Sequence, residues 1–285
     1  MNNNVVLMAA ALAAVSAVAD DGEQTEDNAV VDELARRVSI RASADVETAY
    51  ICRGYVWDTR PFSAQDVSLG VDLDPFGMPE ATVWTYSPMS SSGHSDSMTR
   101  YAYAEVDYLL RYYYDIDIAE GWRLRNGVGR QWVTNPGFRG GRTIVDWQVL
   151  QVLHTPWVTP YWRLRVIRRP FDETYWVLGV KRSFDILDDL SFTVDFFGDL
   201  GDRRHFRNLY GDWADANGRR LSGGLQALNI VFRLDYRLFD HVGLFAFIGQ
   251  FDVVGDDARD AVKAKQVPEA KRDLTYGGVG VSVSF

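Results

Sequence analysis

The chain has 285 residues, a formal net charge of -9, and 47% apolar and 13% aromatic residues. Its mean hydropathy is slightly negative, and no apolar run after Ala19 approaches the ~18 residues of a spanning helix, which excludes a helical membrane protein. The aromatic content excludes a largely disordered chain, and the acid excess argues against a nucleic-acid partner.

Val5 to Ala19 is an apolar, Ala-rich stretch closed by Ala17-Val18-Ala19 before Asp20. This is the core and cleavage pattern of a secretory signal, although Met1-Asn2-Asn3-Asn4 carries no Lys or Arg. Residues 20–37 then place Asp20, Asp21, Glu23, Glu26, Asp27, Asp32 and Glu33 ahead of Arg36 and Arg37, so most of the negative charge sits there. The expected organisation is a signal peptide over 1–19, an acidic periplasmic segment over 20–37 and a folded body over 38–285. The lone Cys52 has no partner for an internal disulfide.

From Val38 onward the dominant period is two. Val38, Ile40, Ala42, Ala44 and Val46 alternate with Ser39, Arg41, Ser43, Asp45 and Glu47. Such alternation sets one face against an apolar medium and the other against a polar one. The pattern predicts strands near 38–52, 65–73, 81–87, 99–116, 121–133, 143–154, 157–168, 174–184, 189–198, 224–238, 241–251 and 274–285. Most reach the ~9–11 residues that a tilted strand needs to cross a bilayer. Every second connection is brief, such as Thr155-Pro156 and Asp240, whereas those between are long and polar, such as 198–223 and 252–273. A transmembrane, antiparallel, up-and-down β-barrel of about 12 strands explains both features: short periplasmic turns, longer extracellular loops and lipid as the outer solvent.

Which face meets lipid follows from the export signal, from Trp122, Trp132, Trp147, Trp162 and Trp176 near the ends of apolar faces, and from the ending Val279, Val281, Val283, Phe285. That ending is similar to the sorting signature of outer-membrane barrels, which implies the barrel-assembly machinery as a partner alongside outer-membrane lipid.

Near the first strand–loop boundary stand Tyr50-Ile51-Cys52-Arg53-Gly54, Pro61, Gln65 and Asp72, and further on Glu105-Val106-Asp107-Tyr108. This resembles the TorF-type porins of Gram-negative bacteria, with their Tyr-x-x-Arg-Gly motif after the first strand and a later Glu-x-Asp-Tyr strand. The motifs cover about residues 45–110, and Cys52 replaces the aromatic residue common before the Arg. The resemblance implies an outer-membrane location and a channel-like role for small solutes, without naming the solute.

With apolar faces outward, the inward set holds the bases Arg41, Arg111, Arg123, Arg125, Arg163, Arg165, Lys181, Arg233 and Arg237. It also holds the acids Asp45, Glu47, Asp72, Glu105, Asp107, Asp115, Asp146, Asp195 and Asp235. Arg53 joins this set if the first strand continues, with Gly54 allowing a tight bend. Unpaired charge in a confined lumen is costly, so ion pairs are expected. Bases gather on the fifth, seventh and eighth strands and several acids on the first and fourth, which suggests a transverse field able to orient an anionic or zwitterionic solute. The alternative is a salt-bridged, closed barrel with a structural or surface-binding role.

An enzyme is not expected. His94 and His205 fall in long loops, His154 and His241 at short turns, and none stands mid-strand beside a serine. No metal-ligand spacing or phosphate loop is evident, and no cofactor is expected.

Overall fold

The computed structural model describes residues 36–89, 105–134, 143–169, 172–211, 221–263 and 271–285. The expected signal peptide, the acidic segment up to residue 35 and His94 lie outside the described residues. The strands are β1 (Val38–Glu47), β2 (Tyr50–Cys52), β3 (Tyr55–Asp58), β4 (Phe62–Val71), β5 (Met78–Pro88), β6 (Glu105–Ala119) and β7 (Trp122–Thr134). There follow β8 (Thr143–His154), β9 (Thr159–Arg169), β10 (Glu173–Leu187), β11 (Leu190–Gly201), β12 (Gly224–Phe239), β13 (Val242–Val253) and β14 (Asp273–Ser284). Two helices, α1 (Arg203–Tyr210) and α2 (Asp256–Lys263), lie in the β11–β12 and β13–β14 connections.

Twelve of these strands close a barrel in the ring order β1-β4-β5-β6-β7-β8-β9-β10-β11-β12-β13-β14, with β14 returning to β1. Each neighbour pair is antiparallel; β1 pairs β14 from Arg41↔Ser284 to Glu47↔Gly278 and β4 from Val38↔Val71 to Glu47↔Phe62. The periplasmic turns are tight for local reasons. Gly121 takes a positive φ of 74° between β6 and β7. Between β8 and β9 the Thr155 hydroxyl donates to the Val158 carbonyl at 2.6 Å.

The burial pattern settles the faces. Along β12, Phe232, Leu234, Tyr236 and Leu238 are exposed, whereas Asn229 is buried and Arg233 and Asp235 are half-buried. The same inversion recurs in Tyr108, Leu110 and Tyr112 of β6 and in Trp176, Leu178 and Val180 of β10. A soluble protein would bury these side chains; here they form an outward apolar surface around a charged interior, as lipid on the outside requires. Trp122 meets Trp157 at 6.0 Å beside the periplasmic turns. Towards the other end, outward Trp132 and Trp147 flank Arg130 at 4.9 and 5.2 Å. The protein is a transmembrane barrel of the outer membrane.

Two expectations need correction. The first strand does not run to residue 52: it stops at Glu47, and residues 50–58 turn inward as the separate β2–β3 hairpin. The 198–223 connection is also not loop throughout, because β11 reaches Gly201 and α1 follows.

Candidate functional site

The β2–β3 turn is built by Arg53 and Gly54, whose φ angles of 58° and 68° put both central residues in the left-handed region. This is the twist-matched geometry of a two-residue hairpin. Glycine is needed at the second place twice over: a Cβ there would lie 2.8 Å from Gln226 Cδ and 2.9 Å from Asp199 Cβ.

The hairpin crosses the barrel. At its root the Tyr50 hydroxyl donates to Glu105 of β6 at 2.8 Å, and the Tyr50 ring stacks on Tyr86 of β5 at 4.8 Å. At its tip Gln226 of β12 donates to the Gly54 carbonyl at 2.7 Å, and Arg53 lies 3.6 Å from Glu173 of β10. Around the ring β6 is fourth and β12 tenth, so the hairpin joins opposite walls at the end that carries the long connections. That end is the extracellular one. Tyr55 and Val56 then pack with Phe206 and Tyr210 of α1, with Ala258 and Ala261 of α2 and with Phe251 and Val253 of β13 in a buried cluster. Burial raises the Tyr210 phenol above its ordinary range.

Asp58 anchors the other end of the hairpin. It accepts from Tyr86 at 2.7 Å and from Arg60 Nη2 at 2.7 Å. Burial pushes its carboxyl upward, but the hydrogen bonds from Arg60 and Tyr86 outweigh that and hold it below the usual carboxylate range.

Beneath the hairpin lies a layer of buried polar groups. Arg165 Nε donates to Asp146 at 2.9 Å, and its terminal nitrogen reaches Asp146 again and Gln131. Gln131 in turn donates to Asp107, and Gln148 donates to Gln131 and Asp146. Below this layer a cavity of about 630 Å³ occupies the barrel down to Arg41 and Ser284 at the periplasmic end.

The charged residues expected in the lumen fall in several places. Arg53, Glu105, Asp107 and Arg165 are buried in the layer beneath the outer mouth. Arg111 and Arg163 line the cavity. Arg125 pairs with Asp115, Arg123 with Asp117 and Arg233 with Asp235, at 2.8, 2.8 and 2.7 Å. Asp195 accepts from Tyr161 at 2.9 Å, and Lys181 stands opposite it in the β10–β11 register. Arg237 pairs with Asp189 at the periplasmic rim at 2.6 Å. Most of these acids and bases meet on the same or adjacent strands, whereas Arg41 reaches Glu80 past β4 and Arg53 reaches Glu173 across the barrel. Among the described residues Arg163 makes no ion pair.

Several contributors escaped the sequence reading. Gln131 and Gln148 share the inward parity of the charges beside them but carry none. Glu80, which both Arg41 and Arg111 reach, lies just before the strand expected over 81–87 and inside the observed β5. His205 is not a loop residue but a buried one on α1, 3.2 Å from Gln226 and 3.5 Å from Glu173. The α1 cap was readable: Asp202 accepts from the His205 amide at 2.7 Å. Among the described residues no group of three or more potential metal ligands occurs.

No family model matches the sequence, and no curated protein does. Among solved structures, an outer-membrane channel from Pseudomonas putida F1 is similar over 87% of this chain and 94% of its own, at 9% identity and a TM-score of 0.51. The KdgM porin is matched over 87% of this chain and 99% of its own at 8% identity and a TM-score of 0.46. Outer membrane phospholipase A from Escherichia coli is matched over 86% and 92% at 13% identity and a TM-score of 0.43. The channel's likeness is one of fold. Together with the outward apolar surface and the charged interior, it makes this chain an outer-membrane β-barrel of twelve strands.

Proposed function

We propose that the protein is a passive outer-membrane channel for small solutes, driven by their gradient and narrowed at its outer mouth by the β2–β3 hairpin. The observation that carries this reading is the cavity of about 630 Å³ inside the barrel, lined by charged and polar side chains. A barrel built only to be rigid has no use for such a void, since filled interiors gain contacts that empty ones forgo. Twelve strands lie between the eight that side chains fill and the sixteen that leave a wide aqueous bore. The resemblance of the Tyr50-to-Gly54 motif and the Glu105-to-Tyr108 strand to TorF-type porins supports the same reading.

One feature favours a second reading, a closed barrel with a surface-binding or structural role. The hairpin tip, α1 and α2 share one buried apolar cluster at the outer mouth. Conductance of the refolded protein in a planar bilayer separates the two. Open steps of reproducible size are expected, larger when the hairpin is shortened. A correctly folded barrel that stays silent with and without its hairpin removes the channel. Hydrolysis of phospholipid by the same preparation would bring back an enzymatic reading.

A further inference from the structure

The lumen has a side recess that the channel reading does not assign. On β7 the inward positions pass from Arg123 and Arg125 to Gly127 and Gly129, over which the Tyr113 ring and the Arg111 side chain lie. A recess of about 80 Å³ opens there, bordered by Tyr113, Leu150, Arg111 and Arg163. It is continuous with the large cavity, since Arg111, Tyr113 and Arg163 border both.

Arg111 and Arg163 are the charged groups of this recess, and no carboxylate borders it. Arg111 shares Glu80 with Arg41, at 3.4 Å from one of its nitrogens, and keeps donors to spare. The acids of the large cavity have partners of their own: Asp66 in Ser43, Glu80 in the two arginines, and one oxygen of Asp107 in Gln131. Arg163 makes no ion pair among the described residues: Arg165 and Arg111 repel it, and Asp195 and Asp199 attract it only from beyond ion-pair distance. A barrel that pairs its other lumenal arginines thus leaves one guanidinium facing an empty recess. A confined guanidinium with no carboxylate at ion-pair distance favours an anion as its ligand.

We propose that this recess binds the carboxylate of a small solute, with Arg163 as its main partner and Arg111 as the second. The planar fork of a guanidinium matches a planar carboxylate. The recess takes the carboxylate, and the adjoining cavity holds the rest of the solute. A cation would be repelled, and a neutral solute would leave Arg163 without a direct ion pair. The proposal deepens the channel reading and rests on it for the solute's access to the lumen.

The test is calorimetric titration of the refolded, detergent-solubilised protein with citrate at low salt, with folding checked by heat-modifiable migration on gels. Saturable binding to the wild type is expected. Arg163→Gln should weaken it at least about tenfold, the loss of one charge-assisted contact. Gly127→Ala, whose Cβ would lie 3.0 Å from Tyr113 Cδ1, crowds the recess without altering charge and should weaken binding as well. Arg182→Gln, on the lipid face beside Phe184, should leave it unchanged. If Arg163→Gln does not refold, Arg163→Lys keeps the charge, loses the fork and should bind less tightly. The proposal is overturned by absent binding to the wild type, by wild-type affinity in the Arg163 variant or Gly127→Ala, or by an equal loss in Arg182→Gln. Citrate binding by a barrel silent in bilayers keeps the recess and removes the channel; conduction without citrate binding does the reverse.

Discussion

The guanidinium of Arg53 lies 3.6 Å from the carboxylate of Glu173, so the tip of a hairpin that leaves the first barrel strand is tied to β10 on the far side of the ring. Both side chains are almost fully buried, at 8% and 2% exposure. Glu173 also accepts from Asn208 of α1 at 2.6 Å. The pair thus joins hairpin, wall and cap.

Arg53→Ala should therefore loosen the hairpin without unfolding the barrel. Removing one member of a buried ion pair leaves the other charge uncompensated, typically at about 3–5 kcal/mol, and the separation here puts the cost near the lower bound. Limited proteolysis should cut within 50–58 much faster in the variant while the strands stay protected. Equal cleavage rates would show that the pair does not hold the hairpin.

Arg165 presents a sharper case. Its partner Asp146 has no solvent exposure, and Gln131 and Gln148 complete the network. Arg165→Leu should destabilise the barrel by about 3–5 kcal/mol, and the added Asp146→Asn change should recover much of it, since no buried charge then remains. Urea unfolding from lipid vesicles of the two single variants and the double variant gives the coupling. Purely additive losses would contradict a shared network.

The two faces of β12 should respond oppositely to the same change. Leu234 points outward, so Leu234→Arg should cost about 2–4 kcal/mol if it lies near the bilayer midplane. Val231 points inward and lies opposite Asp195 in the β11–β12 register, so Val231→Arg gains an acidic neighbour and should cost far less. Folding free energies in vesicles measure both; equal penalties would refute the assignment of faces.

Ion selectivity should follow the unpaired arginine. Arg163→Ala, alone and with Arg165→Ala, should move the reversal potential under a salt gradient toward cation preference. An unchanged potential would mean that these groups do not line the conducting path.

Acid should loosen the hairpin from its Asp58 end. Its carboxyl titrates lower in the folded protein than its ordinary value of 3.8, so the folded state gains from the ionised form. That gain is present in full above the ordinary value and is lost as pH falls below it through the folded value. Hairpin protection, read by hydrogen exchange, should decline below about pH 4 in the wild type. Asp58→Asn should show weaker protection at neutral pH and no such decline.

The wall was legible because lipid imposes a strict period: Leu228 to Leu238 against Asn229 to Arg237 reads the same in sequence and structure. The hairpin was not. Tyr50 and Cys52 keep the alternation of β1, and the break is set by contacts far away in sequence. The Thr48 amide still donates to the Gly277 carbonyl of β14, and its hydroxyl accepts from the Gly277 amide, after which the chain turns inward. The turn itself is carried by Arg-Gly where Asn-Gly is the commoner signal. Partner choice was beyond reach for a related reason. An ion pair was expected for Arg53 within the inward set, but only a closed ring brings Glu173 to it.

The seam between β1 and β14 carries a lesson for biogenesis. Its two strands are the most distant of the barrel along the chain, yet Ile40 and Phe285 exchange a pair of backbone hydrogen bonds at 3.0 and 2.9 Å. Until that zipper closes, each flank offers a row of bare amides and carbonyls that hydrocarbon cannot solvate. A half-inserted chain therefore has no stable resting place within the bilayer, and joining the two flanks must come late and act over the longest span that the polypeptide offers.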